Sequence, residues 1–308
     1  MDFDFDFSAI CHQELLVAFG DQDKFSQLVV DKTVQACLQS MLEDTVTRFE
    51  AIAHEDIPIY ELAEKYASEE MVRASLAVEE YANLRMLFEL TGVAQDSDVI
   101  NNISRVSYYL YKVIDDQKRS LVAVRKAQHF KGLASAHGRL VSWVNDSLTI
   151  MEKPVFKLDR DFDLIITPTE VFAIRPNTLA FVAEVGEAAT AAAAERLTGI
   201  GKSISFLALD RLRDYVSTHK RGAHLISSIS ARDDLARFSK IKLASACAEL
   251  GIQIEATEDD RISPLIGHEL ALLELLDNRR YVTSLTDDAP KAFVAASRRQ
   301  VQNSPKSQ

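Results

Sequence analysis

The chain has 308 residues, 47% of them hydrophobic and 26% charged, a composition that suits a soluble globular protein of one large or two smaller domains. Ten glycines and seven prolines predict short loops and much helix. Cys11, Cys37 and Cys247 are too few and too scattered for a disulfide framework or a zinc site, and fit a reducing cytoplasm. The net charge of −11 hides an asymmetry: residues 1–100 carry 6 Lys+Arg against 21 Asp+Glu, and residues 101–308 carry 29 against 25. The mildly basic part can meet an anionic polymer that the acidic front third repels.

The opening MDFDFDFSAI has neither a basic n-region nor a long apolar run, so no signal peptide is expected there. No window of about 18 apolar residues predicts a transmembrane helix. The alternating Asp and Phe, running into ICHQELLVAF, suit an edge strand or a docked arm. From Lys24 to Ala53, Val30, Val34, Cys37, Leu38, Met41, Phe49 and Ile52 share one helical face, with Thr45 filling a gap in it. Ile57-Pro58-Ile59 breaks that helix, a second helical region is predicted over 60–91 with Gly92 as its cap, and 96–102 is a polar connection.

The pattern then turns to strand. Val106–Ile114 and Leu121–Val124 flank a turn at 115–120, and 139–149 reads as a further strand containing Trp143. The stretches 156–158, 162–167, 171–175 and 179–185 read as strands, separated by turns at Thr167–Glu170 and Arg175–Asn177. Helices are predicted near 187–198, 204–217, 231–250 and 264–278, with a short strand or irregular link at 223–229 and a strand at 252–255. RRYVTSLT at 279–286 leads to a last helix near 289–301 and a disordered SPKSQ tail. The expected fold is α+β: a central, mostly antiparallel sheet flanked by helices. An acidic, mainly helical region 1–105 precedes an α+β region 106–308, with sheet to about 185 and helices to about 301.

Catalytic motifs are weak. TGIGKS at 198–203 resembles the end of a phosphate loop, but Arg196 stands where the first glycine is needed and the preceding segment reads as helix, not strand. Asp159, Asp161 and Asp163 alternate, which makes a magnesium site for a nuclease conceivable, with Asp161 and Asp163 as its carboxylates. His268-Glu269 lacks the second histidine of a zinc hydrolase, and His137, His219 and His224 are scattered. Basic groups carry more weight together: Lys118-Arg119, Arg125-Lys126, Lys220-Arg221, Lys240 with Lys242, Arg279-Arg280 and Arg298-Arg299. Such groups neutralise phosphates with little regard to sequence, and nothing here resembles a base-reading element.

FKLDRDFDLIITPTEVFAI at 156–174, LAFVAEV at 179–185, DLARFSKIKL at 234–243 and LLDNRRYVTSLT at 275–286 together resemble the KwaB family of the Kiwa anti-phage system. Phe162-Asp163 and Phe181 match that family's "FD" pair and following Phe. The resemblance covers roughly the second half of the chain. It implies a DNA-binding, self-associating effector that acts beside a membrane-embedded partner, KwaA, and interferes with phage replication or transcription. It supplies no catalytic residues and no cofactor. The expectation is therefore a non-enzymatic, cytoplasmic DNA binder that a partner can draw to the inner membrane. The rival expectations are a metal-dependent nuclease and a scaffold with no nucleic-acid role.

Overall fold

The structure is a computed structural model, which describes residues 3–19, 24–95, 105–127, 141–144, 147–150, 157–283 and 291–295. The connection at 96–102, Arg298-Arg299 and the tail lie outside these residues. The chain divides into two compact units: Met1–Tyr60 with Ser68–Ala183, here the sheet unit, and Glu61–Ala67 with Glu184–Gln308, here the helical unit.

The sheet unit is built on seven strands: β1 (Ile10–Phe19), β2 (Phe25–Leu28), β3 (Val72–Ser75), β4 (Val106–Asp115), β5 (Ser120–Lys126), β8 (Leu164–Ile166) and β9 (Glu170–Ala173). Their order is β2-β1-β4-β5-β8-β9-β3, and every ladder between neighbours is antiparallel. A separate hairpin pairs β6 (Val141–Val144) with β7 (Ser147–Ile150). Alternation assigns the faces. Leu15, Val17, Tyr109, Tyr111, Leu121, Ala123, Ile165 and Phe172 join one apolar cluster with Leu38, Leu42, Val46 and Phe49 of α1 (Lys32–Glu50). Thr45, the gap on the apolar face of α1, donates to the Met41 carbonyl at 2.7 Å and accepts from the Phe162 amide at 2.9 Å. The hydroxyl is thus satisfied in the core and ties the helix to the segment entering β8. Lys112 of β4, also buried, donates to the Phe88 and Leu90 carbonyls at 2.9 and 2.8 Å, closing the C-terminal end of α2 (Ala82–Glu89).

In the helical unit, α4 (Val185–Ser203), α5 (Asp210–Thr218), α6 (Lys220–Ser230), α7 (Lys240–Glu249) and α8 (Glu269–Leu276) enclose Leu197, Leu212, Leu225, Ile226, Leu272 and Leu273. Two hairpins complete it: β10 (Ile254–Ala256) with β11 (Ile262–Pro264), and β12 (Arg280–Thr283) with β13 (Lys291–Val294).

The architecture is the expected α+β one, with several local differences. Residues 10–19 form an interior strand between β2 and β4, and Phe3, Phe5 and Phe7 ahead of them pack on the core as a docked arm. Residues 1–105, expected as mainly helical, supply three of the seven strands. The second helical region does not run over 60–91. Val72, Ala74 and Leu76 are buried alternately, so period two wins there and only 82–89 is helical. Leu179–Val185 is not a strand. Pro176 opens α3 (Pro176–Val182) at its first turn, and Thr178, Leu179 and Val182 bury at helical spacing. Residues 223–229 lie in α6, and the last expected helix is β13 over 291–294.

Candidate functional site

The acidic run at 159–163 lands among arginines of the sheet unit. Phe162 is fully buried, its ring stacked 6.1 Å from Tyr111. Asp163 follows at the mouth of β8, where its amide donates to the Val124 carbonyl and its carbonyl accepts from the Ile174 amide, bridging β5 and β9. Its carboxylate accepts from Arg125 at 2.5 Å, Arg175 at 2.8 Å, the Thr178 hydroxyl at 3.1 Å and the Lys126 amide at 2.9 Å. Asp161 meets Arg48 of α1 at 2.7 Å, Arg175 at 3.1 Å and Arg125 at 3.3 Å. Asp159 meets Lys157 at 2.7 Å and Arg125 at 3.1 Å. Burial opposes ionisation of Asp159, yet Lys157 and Arg125 outweigh it and hold the carboxyl below the ordinary carboxylate value. Burial likewise pulls Arg175 down, and Asp161 and Asp163 more than restore it.

These carboxylates are therefore the counter-ions of a structural network. Among the described residues, no cluster of three or more His, Cys, Asp or Glu is placed to hold a metal ion. A magnesium ion at Asp161 and Asp163 would have to displace guanidinium groups already seated on them. The aspartates were visible in the sequence; Arg48, Arg175 and Thr178 were not, because tertiary packing alone brings α1 and the start of α3 onto them.

Of the twelve basic residues singled out from sequence, the ten that the structure describes do not share one environment. In the sheet unit Arg125 is buried in the network, and Arg119 is paired with Asp115 at 2.7 Å and Asp4 at 2.6 Å. Lys126 is exposed with its ammonium 4.6 Å from the centre of the Phe181 ring, and Lys118 is exposed. In the helical unit Arg279 is fully buried against Asp277, Arg280 is paired with Glu274 at 3.0 Å, and Arg221 donates to the Ala63 carbonyl. Burial first, and the charge of Arg279 second, lower the pKa of Arg221. Lys220 and Lys242 are exposed, and Lys240 reaches Asp260 at 2.7 Å. Burial pushes the Cys247 thiol up to about 11, so it is not a thiolate nucleophile at neutral pH.

One place in the helical unit puts two of these cations, Lys240 and Lys242, on a feature suited to phosphate. The helix α7 begins after Ser239, whose side chain makes no capping hydrogen bond, and its first intrahelical bond runs from the Leu243 amide to the Ser239 carbonyl. The preceding amides, of Lys240, Ile241 and Lys242, carry the positive end of the helix dipole. Lys242 and Ile241 are exposed there, the latter by 82%, and exposed Arg237 lies just ahead. Sequence reasoning selected the two lysines and passed over Arg237, although it stands in the same DLARFSKIKL phrase.

The family model described as "Kiwa protein KwaB-like" matches residues 103–286, a span that contains both the Asp163 network and the start of α7. The chain belongs to the KwaB-like family. No curated protein matches it, and no solved structure does. KwaB-like membership places the chain in Kiwa anti-phage defence, in company with the other proteins of that system. The phrase that carries the resemblance now has a physical meaning. Phe162 fills the core, Asp163 joins β5, β8, β9 and α3, and Phe181 seats Lys126. In this chain these three residues serve the fold. Among the described residues, no helix is long and apolar enough to cross a membrane.

Proposed function

We propose that this protein serves Kiwa defence by gripping DNA through its phosphate backbone, without reading sequence, and so obstructs phage replication or transcription. The observation that carries the reading is the start of α7, where Arg237, Lys240 and Lys242 stand within three positions of Ser239, a helix N-cap whose side chain makes no capping hydrogen bond. The exposed Lys118, Lys126 and Lys220 add cationic surface on their own units. Half-buried Lys240 meets the carboxylate of exposed Asp260 at 2.7 Å and its backbone carbonyl at 2.5 Å, so phosphate binding there would exchange the Asp260 carboxylate for a phosphate oxygen. The reading is of a binder and not a nuclease, because Asp161 and Asp163 are already engaged by arginines. Self-association and recruitment to the inner membrane by a membrane-embedded, KwaA-like protein belong to the same proposal.

The test is duplex binding by the purified protein across a salt series, with magnesium and with the strands checked for cleavage. Retention of intact DNA should weaken steeply with salt. Replacing Lys240 and Lys242 together by glutamate should lower affinity and flatten the logarithmic salt slope by about 2. An unchanged slope would remove α7 from the interface, and no retention at low salt would overturn the reading.

A further inference from the structure

The sheet unit holds a cleft of about 510 Å³ where the β4–β5 turn, the β8–β9 turn and the N-terminal arm converge. That volume is in the range of small-molecule sites. Phe3, Phe5, Phe88 and Phe172 line it, with Phe3 edge-on to Phe172 at 5.2 Å. Lys118 and Arg119 bring cations to it, and Thr167 and Thr169 bring hydroxyl groups. His54 and Glu170, 2.8 Å apart, place a ring nitrogen and a carboxylate in the same lining.

Two details distinguish this cleft from a surface depression. Lys118 is held at φ +64 in a turn that Asp115 clamps by accepting from the Gln117 amide at 3.0 Å and the Arg119 amide at 2.9 Å. Its exposed side chain forms no ion pair among the described residues and lines the cleft. Arg119 beside it is met by Asp4 of the arm at 2.6 Å, and Asp4 is 85% exposed and sits at φ +49, a conformation that few non-glycine residues adopt. Asp4 has the geometry of an internal stand-in for a ligand's anionic group.

We propose that this cleft binds a nucleotide, with the planar base against the phenylalanines and the phosphate on Lys118 and Arg119 in place of the Asp4 carboxylate. Aromatic faces accept any base, and a guanidinium suits phosphate better than a lone lysine does. The inference does not rest on duplex binding, since the DNA reading is carried by α7 of the helical unit and this site lies wholly in the sheet unit.

Isothermal titration of the full chain with AMP tests it. One molecule should bind per chain, and adenosine and inorganic phosphate should each bind at least roughly tenfold more weakly. Lys118→Gly keeps the left-handed turn while removing the ammonium, and should cost at least roughly tenfold in affinity with unchanged thermal unfolding. Asp4→Asn removes the competing charge and should tighten binding, a gain that misfolding cannot mimic. A 5′-phosphorylated single strand separates the two sources of this chemistry: tighter binding than AMP assigns the site to a strand end, and weaker binding assigns it to the free nucleotide. No heat with millimolar AMP, AMP binding indifferent to Lys118→Gly, or no gain from Asp4→Asn would overturn the proposal.

Discussion

Asp163 is almost wholly enclosed and satisfies two guanidinium groups, one hydroxyl and one backbone amide at once. Substituting Asp163 leaves buried Arg125 on its longer contacts to Asp159 and Asp161 and takes an acceptor from the Thr178 hydroxyl and the Lys126 amide, which costs more than the net worth of the intact pair. Asp163→Ala should therefore destabilise the protein by about 3–5 kcal/mol, measured by urea unfolding. Asp161→Ala should cost less, because its partner Arg48 reaches solvent and the Asp161 side chain is 14% exposed against 2% for Asp163. Equal losses for the two would contradict the hub role. Arg279 and Asp277 repeat the principle in the helical unit, both fully buried, with Asp277 also accepting from Ser228 at 2.9 Å. A basic pair in a sequence carries no mark of whether its charge is spent inside the fold.

At the scale of the element, TGIGKS forms the end of a helix. Gly199 and Gly201 both lie in α4, and they differ in what surrounds them. A Cβ at Gly201 would fall 2.5 Å from a Leu209 methyl carbon, whereas one at Gly199 would meet nothing within 4 Å. Gly199→Ala should gain up to about 1 kcal/mol of helix propensity. Gly201→Ala should forfeit that gain and lose about 1–3 kcal/mol to overpacking. Thermal unfolding of the two variants checks the contrast, and a stabilised Gly201→Ala would show that Leu209 yields freely. The strand–helix differences have a common origin. In 72–76 and 179–185 the apolar residues are dense enough to satisfy either period, so neighbours decide: β9 pairs with 72–75, and the Thr178–Asp163 bond sets 176–182 as a helix beside β9.

At the scale of the molecule, protonation links folding to pH. Burial raises the pKa of Asp115 and of Asp159, but Arg119 on the first and Lys157 with Arg125 on the second outweigh it, so both lie below the ordinary 3.8. The native state then holds fewer protons than the unfolded chain. The stabilisation is complete above pH 3.8 and is lost as pH falls through the lowered values. His224 is lowered from 6.5 by burial, then by Arg221 and Lys220. Its neutral form is native, so stability is complete above pH 6.5 and declines below it. The urea midpoint should be flat above pH 6.5, fall gently below it and fall steeply below pH 3.8. His224→Gln should remove the gentle slope alone, and a midpoint that rises on acidification would refute the signs.

The sequence by itself determined the α+β class, the antiparallel pair β4–β5, most helices of the second half and the family, because each rests on local periodicity, turn chemistry or a contiguous phrase. It also exposed Thr45 as the misfit on an apolar helix face and Lys240 with Lys242 as a basic step. Tertiary structure alone decided that β1 is interior, that 179–185 is mainly helical, and that Arg125 and Arg279 are buried while Lys242 is exposed. The physical reason is that burial and pairing depend on residues far away in the chain: Arg125 is neutralised by aspartates more than thirty positions on, and Asp161 by an arginine more than a hundred positions back. No local pattern encodes a counter-ion at that distance.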